Sequence, residues 1–212
     1  MSRPSTSANH RRRSSSILTI AFVRYFENEK HEGTVQGGVE GSHNADYLPE
    51  DALLRYFTEE CIQHIQNQLY PQRTTSDIAQ MYDPAQIRRK YPRVLATLLY
   101  IERGELLNEF LSNSLLDDKH LPFFDAARFP GSNEDFQNFF DAQWKFFILP
   151  LKYQPIVNYQ PSQILPFKSV GRLGGGNGGK AYLIEVHPHH NQLVSASSRI
   201  DPNETDASST VR

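Results

Sequence analysis

Three groups of residues in this chain have types and spacings that could do chemistry. Gly174, Gly176 and Gly179 stand at the spacing G-x-G-x-x-G, inside Leu173-Gly-Gly-Gly-Asn-Gly-Gly-Lys-Ala-Tyr182. Glycines so spaced let a backbone turn tightly and bring its N–H groups against an anion, because no Cβ blocks the approach. The chemistry is that of a nucleotide phosphate. His187-Pro-His-His190 offers three imidazoles to a metal ion. Such a site needs a fixed geometry and an outer shell. The cluster stands just before a polar C-terminal stretch, so no metal is expected. Cys61 and His64 are helical neighbours and invite a thiolate–imidazole pair. No third group or glycine-built oxyanion site accompanies them. Cys61 lies in an apolar stripe and is read as a small buried side chain.

The residues after the glycines decide between phosphate-binding arrangements. A dinucleotide fold needs a helix to begin inside the glycines and face the pyrophosphate. Here Ala181-Tyr-Leu-Ile-Glu-Val186 is aromatic and β-branched and stops at Pro188, which reads as a strand. A P-loop needs Lys followed by Ser or Thr; Lys180 is followed by Ala181, so no magnesium ligand is supplied. Strand, glycine turn, strand remains. That is the nucleotide lid of protein kinases.

Leu173-Gly-x-Gly-x-x-Gly-Lys-x-Tyr182, with Ile164-Leu-Pro-Phe167 before it and Glu185-Val-His-Pro-x-His190 after it, resembles the start of the kinase domain in kinase-like proteins of filamentous fungi. The resemblance implies a Ser/Thr protein kinase parentage, with ATP as cofactor. It implies nucleotide contact through Leu173, Gly174, Gly176, Gly179 and Ala181. It also implies a helical region before the kinase lobe. Two departures stand in the lid itself: Gly178 takes the place of an aromatic at the tip, and Ala181 that of a valine over the adenine. Together they forgo apolar contact of roughly 1–3 kcal/mol. The phosphate-pairing lysine, the H-R-D loop and the D-F-G metal site do not follow. Only His187 to Arg212 come after the second strand, against the roughly 200 further residues a kinase domain would need. The chain therefore reads as a kinase truncated after its second strand, with no catalytic residue and no phosphoryl transfer of its own.

The elements that must position the glycines come next. The 212 residues hold 38% apolar types, below a globular average of about 45–50% that also counts glycine, and the deficit sits at the ends. A net charge of −2 gives no drive toward nucleic acid or membrane. A single cysteine excludes an internal disulfide, and no apolar run reaches the ~18 residues of a membrane span. An intracellular protein, in cytoplasm or nucleus, is expected.

Residues 1–16 are basic, with Arg11-Arg-Arg-Ser-Ser-Ser16, and read as a disordered tail. Residues 17–48 read as a short apolar element, helix or strand, followed by a glycine-bearing flexible linker. Residues 49–160 read as a helical domain. Its first helix carries Leu53 through Leu69 in one stripe ended by Pro71; a short turn is read at Asp77–Met81. Asp83 caps a short helix beginning at Pro84. Pro92 opens another helix, which Gly104 divides, and Ser132 caps one bearing Phe136, Phe139, Phe140 and Trp144. Residues 161–190 are the lid hairpin and 191–212 a disordered tail. The fold class expected is mainly α: a helical N-terminal domain, a short β-hairpin corresponding to the first strands of a kinase N-lobe, and disordered tails. Two functions follow. One is the inactive kinase-like chain; the other is a helical module that binds a protein partner, with no nucleic acid or membrane involved.

Overall fold

The computed structural model describes residues 6–35, 44–71, 83–152, 160–176 and 179–193. Within them the fold is mainly α, with seven α-helices and three small sheets. The turn expected at 77–81 lies outside the described residues, as do 194–212.

The N-terminal region departs from the sequence reading. Helix α1 spans Thr6–Glu29, so most of the expected disordered tail is helical, and the undecided element at 17–26 is its second half. Leu18, Phe22 and Phe26 recur at four-residue steps and are buried. That stripe anchors the helix, and propagation outward adds one backbone bond per residue once the nucleus exists. The buried face is not the one that Ile17 and Ile20 suggest, since both are 58% exposed. Thr19 is buried and donates its hydroxyl to the carbonyl of Leu99 at 2.8 Å.

The stretch read as a flexible linker holds two strands, β1 (His31–Val35) and β2 (Asn44–Tyr47). They pair antiparallel, and β4 (Ile164–Leu165) joins the other edge of β1. Gly33 is in this sheet for a steric reason. A Cβ there would stand 2.6 Å from both the Ile164 Cγ2 and the Leu165 carbonyl oxygen.

The apolar stripe from Leu53 to Leu69 is two helices, α2 (Glu50–Tyr56) and α3 (Glu59–Leu69). Thr58 turns to an extended conformation and its Oγ1 accepts the Cys61 N–H, capping α3. Helix α4 (Pro84–Lys90) begins as expected, with the Asp83 carboxylate accepting from the Ala85 N–H at 3.0 Å. Helix α5 (Pro92–Tyr100) is the centre of the body, with Val94, Leu95, Ala96, Leu98 and Leu99 buried. Its first N–H groups are capped from across the chain. Asp118 accepts from the Arg93 and Val94 N–H groups at 2.8 and 2.9 Å. Burial pushes the Asp118 carboxyl up to about 7, against the pull of those two donors.

Gly104 is not what ends α5. The Arg103 N–H reaches the Leu98 carbonyl and the Glu102 N–H reaches that of Leu99, a paired Schellman closure with Glu102 at φ 60°. Gly104 lies against Leu69 and Leu99, whose Cδ2 atoms would be 3.1 Å from a Cβ. A short 3-10 turn leads to α6 (Leu107–Leu111). Helix α7 (Asn133–Ala142) opens with the reciprocal Ser132–Asp135 capping box. Two aromatic groups fill the body. Phe22 meets Tyr56, Phe57 and Phe146 at 5.2–5.7 Å, and Phe139 meets Phe110, Phe123 and Phe129 at 5.3–5.7 Å. Such ring pairs add about 0.5–1.5 kcal/mol each beyond their burial.

Candidate functional site

The glycine motif lies in a two-stranded antiparallel hairpin, β5 (Phe167–Gly176) and β6 (Gly179–Val186). A strand, not a helix, follows Gly179, as its aromatic and β-branched residues require. Gly176 pairs with Gly179 and Gly174 with Ala181. Residues 177 and 178 lie outside the described residues, so the expected tip at Gly178 does too. The register shifts twice, between Ser169 and Gly171 and between Arg172 and Gly174, leaving Val170 and Leu173 without partners across the ladder. Each such bulge bends and twists the strand. Leu173 is 69% exposed, and Leu183 and Ile184 are also exposed.

A Cβ at Gly174 would meet nothing within 4 Å, and the same holds at Gly171. Neither glycine has the positive φ that would exclude a side chain. Packing does not require these glycines, and backbone conformation does not either. What a glycine leaves there is open backbone facing solvent.

Among the described residues, the bonds that join the hairpin to the body are at its stem. Strand β4 pairs with β1 just before it, and Thr34 donates its hydroxyl to the Phe167 carbonyl at 2.9 Å. After β6 the His187 N–H closes on the Pro166 carbonyl at 3.1 Å. A 3-10 turn at Pro188–His190 follows, then β7 (Asn191–Gln192), which pairs parallel with β3 (Leu151–Lys152). The expected disordered tail from 191 therefore begins with a strand. The histidines are held in the fold rather than at a loose end.

The three imidazoles do not converge. His190 is buried near Tyr47, and burial lowers its pKa to about 4. Asp51, from the first turn of α2, takes its place: one donor atom from each of Asp51, His187 and His189 lies within 4.8 Å of the others. His189 Nδ1 is 3.6 Å from Asp51 Oδ1. Burial works against ionisation of Asp51, but the Arg55 hydrogen bond and the His189 ring outweigh it, so its pKa is lowered. His187 is also lowered, by burial first and then by neighbouring His31, whose ring is 4.4 Å away edge-on. No local cue announces this grouping, because Asp51 lies 136 positions before His187.

The Cys61–His64 pair is not wired for catalysis. Burial raises the Cys61 thiol, which disfavours a thiolate, and the His64 Nε2 is engaged with Gln68 at 2.7 Å. No helix among the described residues is long and apolar enough to cross a membrane. Comparison of the chain with family models, with characterised proteins and with solved structures finds no match.

Proposed function

We propose that this chain is a kinase-related protein in which a helical body carries a nucleotide-lid hairpin, with Gly174, Gly176 and Gly179 facing phosphate and Leu173 and Ala181 beside the base. The observation that supports it is the open, extended backbone at Gly174, where neither sterics nor φ asks for glycine. A lid uses that freedom to lay N–H groups close to phosphate oxygens. No catalytic lysine, H-R-D or D-F-G motif accompanies the hairpin in these residues, so by itself the chain transfers no phosphate. A two-stranded hairpin covers a nucleotide from one side only, and the grip is correspondingly weak.

The test is an amide NMR titration of the whole chain with magnesium-ATP, run beside a phosphate-transfer assay. Shifts confined to Gly174–Ala181 at millimolar nucleotide, reduced by Gly174→Val, are the expected result, with no transfer. Shifts absent from the hairpin, or measurable transfer by this polypeptide alone, would overturn the reading.

A second reading, a helical module for a protein partner, is favoured by Leu115 and Phe124. Both are more than half exposed, and they line one pocket beside His120 and Arg128. It needs the body and not the lid. Partner binding that survives Gly174→Val but is lost in Phe124→Ser, with unchanged thermal unfolding, would favour it over the first.

A further inference from the structure

We propose that Asp51, His187 and His189 form a binding site for one divalent transition-metal ion of the zinc class, clamping the stem of the glycine hairpin to helix α2. The inference stands apart from the nucleotide-lid reading and uses none of its residues.

Two buried atoms carry it. Asp51 Oδ1 and His187 Nδ1 are both shielded from solvent and have no hydrogen-bond partner among the described residues. A buried polar atom left unpaired is costly, and native folds pair nearly all of them. The two carboxylate oxygens of Asp51 are used unequally. Arg55 donates to Oδ2, while Oδ1 faces His189. That leaves a carboxylate fixed on one side with its second oxygen free to act as a ligand, as outer-shell partners do at metal centres. Glu29 pairs with Arg55 at 3.0 Å and offsets part of its positive charge.

The donor set selects the ion. Two imidazoles and a carboxylate suit zinc and its neighbours better than calcium or magnesium, which take mainly oxygen. Three protein ligands would leave a fourth position for water. Ligand atoms about 2.0–2.2 Å from a tetrahedral zinc stand roughly 3.3 Å apart. The Asp51–His189 separation of 3.6 Å is close to that, and the remaining donors lie within 4.8 Å. His189 is 59% exposed and can swing inward to close the difference. His187 is set by the backbone bond from its N–H to Pro166 and by the 3-10 turn that follows. The ion would thus join the end of β6 to the first turn of α2, two segments with no covalent link nearby.

The experiment uses the tag-free full chain, stripped with a chelator and titrated with zinc chloride by calorimetry at neutral pH. One equivalent should bind, zinc should raise the unfolding temperature, and cobalt(II) in its place should give visible absorption bands of a four-coordinate site. Because His189 is largely exposed, His189→Ala should fold normally. It should weaken zinc binding by at least about 10-fold and abolish the thermal shift. Asp51→Asn should do the same, and His64→Ala, an exposed histidine elsewhere, should change nothing. Zinc uptake unaltered by His189→Ala would overturn the proposal, as the sign of adventitious histidine binding. Absence of uptake at micromolar zinc would overturn it equally, even if Asp51→Asn proves unstable.

Discussion

A methyl group added at Gly33 would stand 2.6 Å from a side-chain carbon and a backbone oxygen of the strand beside it. Added at Gly174, it would touch nothing within 4 Å. Gly104 belongs with the first case, wedged against Leu69 and Leu99, and Gly171 with the second. In the body, glycine is dictated by what the protein places next to it. At Gly171 and Gly174 in the hairpin nothing internal dictates it, and strand glycine there weakens the element by roughly 0.5–1 kcal/mol relative to alanine. A residue type that costs stability and answers no internal demand is best understood through something that approaches from outside.

The sharpest way to break that contrast is a matched pair. Gly33→Val should lower stability by about 3 kcal/mol, because the neighbour it strikes includes a backbone carbonyl that cannot swing aside. Gly174→Ala should leave thermal unfolding unchanged or raise it slightly. If Gly174→Ala destabilises by as much as Gly33→Val, the hairpin glycines are structural and the lid loses its support.

The elements that could be read from the sequence are those whose cause is local. Asp83 caps Ala85 two residues on, and Ser132 and Asp135 cap each other within one turn, so both helix starts follow from neighbouring residues. The strand after Gly179 is written in the residue types that compose it. What escaped was long-range. Strand β1 pairs with β2 inside that stretch, but its other edge is closed by residues 164–165, and no feature of 27–48 announces that partner. The candidate metal site escaped for the same reason, since its carboxylate and its imidazoles lie far apart in the sequence, at Asp51 and at His187 and His189. The break at Phe57–Thr58 is a different matter. Thr58 followed by Glu59 and Glu60 is a legible N-cap, masked by an apolar stripe that runs through it without interruption.

A second measurement sharpens the comparison through charge. The hairpin's ion pair, Lys168 with Glu185 at 3.2 Å, is exposed on both sides and screened, so it should add little to stability. Asp118 in the body is different. Its carboxyl is raised by burial from 3.8 to about 7, so the folded state holds a proton that the unfolded chain has already released. Its contribution is therefore fully present below about pH 4 and falls as pH rises toward 7, with a slope no steeper than about 1.4 kcal/mol per pH unit for one proton. Asp118→Asn loses part of the cap at every pH but removes that slope. Denaturant unfolding from pH 5 to 7 should show the two proteins' stabilities changing differently, by on the order of 1–2 kcal/mol. Parallel pH profiles would mean that the two backbone donors, and not burial, govern this carboxyl.

The smallest effect expected comes at the end of helix α5, and it reverses the sign of the first. Glu102 holds φ at 60°, the left-handed region, to let the Arg103 and Glu102 N–H groups close on the Leu98 and Leu99 carbonyls. Glycine is the usual residue at that position of a Schellman closure, because a Cβ there crowds the following carbonyl at a cost of about 1–2 kcal/mol. Glycine in turn loses more backbone entropy on folding, which offsets part of the gain. Glu102→Gly should therefore stabilise the chain by about 0.5–1 kcal/mol, seen as a higher denaturant midpoint with an unchanged slope. So the body carries a side chain where geometry asks for glycine, while the hairpin carries glycine where geometry would accept a side chain. A destabilised Glu102→Gly would show that side-chain contacts of Glu102 outweigh its backbone strain, and that local backbone geometry alone does not explain which residue stands where.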